Sequence, residues 1–125
     1  MIQLKNYIND EFLEPIQNEW LDNYNPSNGI VYGQLPNSSL EDVNLAYEAA
    51  KKAFESWSQT SLEKRSAILL KIARLIEDNL NRFAEAESKD NGKPITLAKS
   101  IDIPRAASNF RFFGHAITQF HSESH

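Results

Sequence analysis

The sequence predicts a mainly α-helical fold led by a β-hairpin arm. Three observations carry this. Asn9-Asp10 lies between two short aromatic and β-branched runs, apolar residues from Leu40 to Trp57 recur in alternating steps of three and four, and a longer apolar pattern runs from Leu62 to Phe83.

The arm comes first. In "LKNYINDEFLEP" the pair Asn9-Asp10 tolerates positive φ and suits a tight hairpin turn. In "NYNPSNGIVYGQLP", Asn25-Pro26 and Asn28-Gly29 punctuate the chain before a short strand, Ile30-Val31-Tyr32. Pro15, Pro26, Pro36 and Pro94 all fall at predicted element edges, where a missing N–H does no harm.

Helix follows. Ser38 with Glu41 three residues later has the spacing of a capping box, each side chain taking a backbone N–H that the first turn leaves free. Leu40, Val43, Tyr47, Ala50, Phe54 and Trp57 then form one stripe, with Glu41, Asp42, Glu48, Lys51, Lys52 and Glu55 on the polar side. A second box, Thr60 with Glu63, opens a longer helix whose apolar face carries Leu62, Leu69, Ala73, Ile76, Leu80 and Phe83. Leu70, Ile72 and Ala84 widen that face, so burial on two sides is expected, while Lys64, Arg65, Lys71, Arg74, Glu77 and Asp78 are solvated. This helix should end near Lys89, because Gly92 suits the left-handed position beyond a last turn and Pro94 stops continuation. The final segment is helical in content but holds Pro104, which disfavours α geometry at Ile103. A kink or break is expected there, with Asp102 capping the second half and a frayed polar tail after it.

Composition narrows the function. The net charge is −4 and the 13 basic residues are interleaved with 17 acidic ones, which argues against a nucleic-acid partner. No apolar run is long enough to cross a bilayer, and the start lacks the basic and apolar regions of a secretory signal, so a cytoplasmic protein without a membrane partner is expected. There is no cysteine, hence no disulfide, thiolate metal ligand or cysteine nucleophile in these 125 residues. Four scattered glycines form neither a GxGxxG turn nor a P-loop. His121 and His125 are four apart, a spacing that aligns metal ligands on a helix, but without a third ligand they read as exposed tail residues.

Two residues raise questions of their own. Asp90 in "ESKDNGKP" sits near the negative end of a helix dipole, at a cost of up to about 1 kcal/mol. A charge kept there implies a nearby cation, whether Lys89, Lys93 or a bound metal ion. Arg105 lies one turn from Asn109 beside an apolar face, a setting that suits recognition of a carboxylate. On the residues alone, a surface salt bridge between Arg105 and Asp102 is preferred.

In order and spacing, "NYINDEF", "NPSNG", "EDVNLAYEAAKKAFESW", "EKRSAILLKIARLIEDN" and "AESKDNGKP" resemble the N-terminal region of the aldehyde dehydrogenase superfamily, from about Lys5 onward. "DIPRAASNFRFF" is similar to the branch that oxidises 2-aminomuconic and 2-hydroxymuconic semialdehydes. The resemblance implies a partial α/β fold: an arm over 1–36 and, over 37–125, the helical part of a cofactor domain without its Rossmann-like sheet. It implies NAD(P)-dependent oxidation of an aldehyde to a carboxylate, with a cysteine nucleophile, an oxyanion-holding asparagine and a water-activating glutamate all located beyond position 125. The cofactor turn and the oligomerisation hairpin of a homo-oligomeric parent lie beyond it as well.

Two sites follow from the same resemblance. Asp90, with the backbone carbonyls of Asn23 and Tyr24, would hold a structural Na+ or K+ ion, and Arg105 would meet a substrate carboxylate. The expected partner is the remainder of the parent enzyme, and the chain alone should be inactive. The alternative is a non-catalytic helical module that docks on a full-length paralogue through Leu40, Val43, Tyr47, Phe54 and Trp57.

Overall fold

The computed structural model describes residues 2–119. The chain divides into two compact units, Met1–Gln59 and Thr60–His125.

The first unit holds β1 (Ile2–Gln3), β2 (Asn6–Ile8), β3 (Glu11–Leu13), β4 (Trp20–Asn25), β5 (Ile30–Pro36) and α1 (Leu40–Trp57). β2 and β3 form the expected hairpin, pairing Asn6 with Leu13, Tyr7 with Phe12 and Ile8 with Glu11. Asn9 (φ 52) and Asp10 (φ 68) are both left-handed, as a two-residue turn between twisted strands requires. The Tyr7 and Phe12 rings meet at 4.9 Å across the pair. Tyr7 Oη donates to the Asp10 carboxylate, and that hydrogen bond raises the phenol's pKa.

β5 is longer than the expected Ile30–Tyr32 strand and forms the middle of a three-stranded sheet, antiparallel to β4 and parallel to β1. The β4–β5 turn is built by Asn25, whose Oδ1 accepts from Ser27 N at 3.0 Å and whose carbonyl accepts from Gly29 N at 2.8 Å. Gly29 (φ 69) supplies the left-handed residue that closes it. Gly33 is needed for closeness instead: a Cβ there would lie 2.8 Å from the Ile2 carbonyl oxygen.

The capping box of α1 is not Ser38 with Glu41. Ser39 is the N-cap and Asp42 its partner. The reason lies in the arm: Asn6 Nδ2 donates to Ser38 Oγ at 2.9 Å, so the earlier hydroxyl is already engaged. Asp42 is correspondingly buried, not part of the solvated face. Its Oδ2 accepts from Ser39 N at 2.8 Å and from Ser39 Oγ at 3.0 Å, while Oδ1 accepts from Ile16 N at 3.0 Å. One carboxylate thus starts the helix and fastens the loop after the hairpin to it. The apolar stripe of α1 stays open, with Leu40 74% and Phe54 65% exposed.

The second unit holds α2 (Leu62–Asp78), α3 (Leu80–Asn91), α4 (Ile95–Leu97), a π-helical segment (Ala98–Asp102) and α5 (Ile103–Ala116). Ser61, not Thr60, caps α2 by accepting from Lys64 N. The single long helix expected from Leu62 to Lys89 is two helices. At Asn79 (φ −109, ψ 19) the backbone N–H is shared between Leu75 and Ile76 carbonyls, and the side-chain amide also donates to Leu75 O at 2.9 Å. This tightens the turn and ends the α ladder, and α3 restarts from the Asn79 carbonyl. Burial on two sides is not found. Ser66, Ala73 and Ala84 are buried, whereas Leu62, Leu75 and Phe83 are exposed.

Gly92 (φ 77) closes α3 as expected, donating to Ser88 O at 3.0 Å. Pro104 does not break the chain's helical path. Ile103 stays α-helical (φ −68, ψ −44), and its N–H reaches back five residues to Ala98 O. Proline lacks the N–H of a regular turn and its ring crowds the preceding carbonyls; the wider π turn accommodates both. α5 packs on α2, where Gly114 lets Leu69 and Leu70 approach: a Cβ would stand 3.0 Å from Leu70 Cδ2. Arg111 on α5 and Glu77 on α2 are paired at 2.6 Å. The tail histidines His121 and His125 lie outside the described residues.

Gly33→Ala is expected to displace β1 and lower stability by about 1 kcal/mol, read as an earlier urea midpoint. Loss of exchange protection at Leu4 N, which donates to Gln34 O, should accompany it; an unchanged Leu4 amide would refute this.

Asp42→Asn gives a pH test. The Ser39 N–H, followed by the Ile16 N–H, holds the folded carboxyl below its ordinary 3.8. A depressed acid stabilises the fold above its unfolded pKa, and this stability is lost as pH falls through the folded value. The variant should therefore melt earlier than the parent at neutral pH, and the gap should close well below pH 3.8. A gap that persists in strong acid would contradict the mechanism.

Candidate functional site

The residues singled out by sequence fall into both units. Asn23 and Tyr24 belong to β4 of the first unit, and Asp90 and Arg105 to the second.

Asn23 pairs with Gly33 and Tyr24 with Val31, so the ladder slips between them. A bulge of this kind leaves backbone groups outside the regular pairing and re-aims them. The Asn23 side-chain amide donates to Tyr32 Oη at 2.9 Å, which fixes the side chain. Asp90 lies in the last turn of α3 and is exposed. Beside it, Asn91 ties the turn down: Nδ2 donates to Glu87 Oε1 at 2.6 Å, and Oδ1 accepts from Lys93 N at 2.9 Å. Carboxylate and carbonyl oxygens are the hard donors an alkali cation takes. Among the described residues no group of three or more His, Cys, Asp or Glu could hold a metal ion.

Arg105 stands in the first turn of α5, directly after Pro104, with 68% of its side chain exposed. Its NH2 is 3.3 Å from Asp102 Oδ1, the salt bridge preferred on the residues alone. Asp102 occupies the N-cap position of α5, but its side chain makes no capping hydrogen bond. Its carboxylate is directed to Arg105 and, at 2.7 Å, to Lys93 Nζ. Sequence does not reveal the Lys93–Asp102 pair, because the partners are nine positions apart, with α4 and most of the π segment between them, and no periodicity links them.

An open groove of about 580 Å³ runs along α5, lined by Ser108, Arg111, Phe112, His115, Ala116 and Gln119. It is apolar for most of its length, with the Arg111 cation at its side. Phe112 in its lining is 65% exposed, and Phe113, the following residue, 61%.

Residues 12–125 match the model of the aldehyde dehydrogenase family. The chain belongs to that family. Over 123 residues it is 47% identical to 2-aminomuconic semialdehyde dehydrogenase of Bos taurus, and 43% identical to the enzyme of that name in Homo sapiens. In both cases 98% of this chain aligns with 25% of the relative. Its fold matches the NAD+ complex of an aldehyde dehydrogenase from Bacillus cereus with a TM-score of 0.93 at 32% identity, covering 97% of this chain and 25% of that one. The chain thus spans about a quarter of the length of these relatives. The mainly α fold with its hairpin arm is the part of the dehydrogenase fold that these residues share with them. No described helix is long and apolar enough to cross a membrane.

Proposed function

We propose that residues 1–125 form the N-terminal part of an NAD(P)-dependent dehydrogenase that oxidises a carboxylate-bearing semialdehyde, and that they are inactive by themselves. Residues 1–36 are its arm, and 37–125 are the helical part of its cofactor domain. The observation that carries this reading is the open stripe on α1, Leu40, Val43, Tyr47, Phe54 and Trp57, in a chain that aligns almost completely with one quarter of larger dehydrogenases. A helix face this apolar is built to be covered, at roughly 25 cal/mol for each Å² removed from water.

In this reading NAD(P) would be held outside these residues, in a homo-oligomeric enzyme, and would supply a hydride acceptor there. The chain's own sequence has neither a cysteine nor a glycine-rich turn to hold or use it. Its contribution is placement. Arg105, exposed on the first turn of α5, takes the substrate's carboxylate. Asp90, in the last turn of α3, takes a Na+ or K+ ion, whose charge offsets the carboxylate's unfavourable position at a helix C-terminus. The α1 stripe also suits a second reading, a module docked on a full-length paralogue.

The purified chain should produce no NADH from a muconic-type semialdehyde and NAD, and should bind a dye that reports exposed apolar surface. Turnover by the isolated chain sinks the proposal; specific co-purification with an intact paralogue at one-to-one ratio shifts it to the second reading.

The cation is tested in an enzyme in which these residues replace the matching quarter of the bovine relative. Potassium or sodium, at a hundred times its dissociation constant, should stabilise that protein by about 2.7 kcal/mol. Asp90→Asn should abolish the salt-specific part of the shift. An equal shift in the variant, or one given equally by a bulky organic cation, removes Asp90 from the site.

A further inference from the structure

Asp102, the last residue of the π segment, is shared by two cations. Its side chain is 14% exposed. Oδ2 is sealed from solvent and makes no aligned hydrogen bond, so the Lys93 ammonium at 2.7 Å acts on it as a charge. Oδ1 is left to Arg105 at 3.3 Å. Lys93 is held in place by its own surroundings: Gly92 turns the chain, Asn91 Oδ1 binds the Lys93 N–H, and 32% of its side chain remains exposed.

An unopposed carboxylate beside an arginine grips the planar guanidinium at two points, a match of fork to fork. Here only one oxygen reaches Arg105, and the contact is long for a charged pair. One carboxylate between two cations also leaves one positive charge unbalanced. Because Arg105 is 68% exposed and Lys93 much less, that surplus is presented to solvent through the guanidinium.

We propose that Lys93 is a positioning residue for Arg105: by occupying Oδ2 of Asp102 it keeps that carboxylate from closing on the guanidinium at two points, and so leaves arginine N–H groups for a substrate carboxylate. This rests on the reading of Arg105 given above. Lys93 need not touch the substrate. Its effect is to weaken an internal competitor, an ion pair whose strength sets how much of the guanidinium is available.

Two measurements test it. In the enzyme in which these residues replace the matching quarter of the bovine relative, labelled with 15N-arginine and with Arg105 assigned by its loss in Arg105→Gln, Lys93→Gln should shift the Arg105 Nε–Hε signal and slow its exchange with water, as Asp102 tightens its hold. Adding Asp102→Asn should reverse both changes. An Arg105 signal that does not respond to Lys93→Gln overturns the proposal.

In the enzyme built on the bovine relative, the readout is the ratio of kcat/KM for a carboxylate-bearing semialdehyde to that for a neutral aldehyde. Arg105→Gln should lower this ratio by about tenfold or more. Lys93→Gln should lower it by about threefold, Lys93→Arg should preserve it, and Lys93→Gln with Asp102→Asn should restore it towards the parent value. If Arg105→Gln leaves the ratio unchanged, the carboxylate reading of Arg105 fails, whatever Lys93 does. If Arg105→Gln lowers the ratio but Lys93→Gln does not, or if Asp102→Asn deepens the Lys93→Gln loss, the inference about Lys93 fails while that reading stands.

Discussion

The structure depends on a shortage of covered apolar surface. Among the described residues no large side chain is completely sealed from solvent; the fully buried positions in the helices of the second unit are Ala73, Ala84, Ala98 and Ala107. Small residues let helix backbones approach closely, but each removes little area from water, and at roughly 25 cal/mol per Å² an alanine contributes far less than a leucine. The larger side chains, among them Leu40, Tyr47 and Phe54 on α1 and Phe112 and Phe113 on α5, remain more than half exposed. Their periodicity is that of core-facing helices. The mismatch between the pattern and its burial is what the proposed reading accounts for, in which these helix faces are covered in a longer enzyme.

With so little hydrophobic closure, polar clamps take a larger share in setting geometry. Asp42 accepts bonds from Ser39 and Ile16 and thereby joins α1 to the segment after the hairpin. Lys93 and Arg105 converge on Asp102 and join the α3 turn to the start of α5. At Asp42 the satisfied carboxylate fixes direction as well as distance, because each oxygen meets a particular donor. An apolar contact of similar area would tolerate sliding. Charged residues thus make these two links, beside the close packing of α5 on α2 at Gly114, while the apolar stripe of α1 is left open.

Sequence made the local features legible. Asn9-Asp10, Asn25 through Gly29, and Gly92 with Pro94 each encode their conformation in the residue itself, through tolerated positive φ or a fixed ring, and each appears where it was expected. Choices between near-equal local options were not legible. Ser38-Ser39-Leu40-Glu41-Asp42 contains two capping boxes one residue apart, and Asn6, 32 residues from Ser38, decides between them by taking the Ser38 hydroxyl. The break at Asn79 depends on a side-chain bond to Leu75 that competes with a good apolar period. Pro104 was read as a breaker because single-residue rules ignore the option of a wider turn before it. Of the candidate site, the Asp102–Arg105 pair was within reach at three residues' spacing, whereas the Lys93–Asp102 pair required the tertiary path of the turn.

The placement of Arg105 shows why a π turn is useful at this point in the chain. In a regular helix the residue before a proline is crowded, and a first-turn arginine would share its orientation with the ordinary α ladder. The five-residue reach from Ile103 to Ala98 inserts extra chain just ahead of Pro104. π turns of this kind recur at functional sites. Pro104 then starts α5 with a pre-set φ and no N–H to satisfy. The turn and the proline together bring Asp102 inward, against Lys93, while Arg105 faces outward. A carboxylate that is 14% exposed beside an arginine that is 68% exposed is the arrangement expected when the acid orients the base without neutralising it.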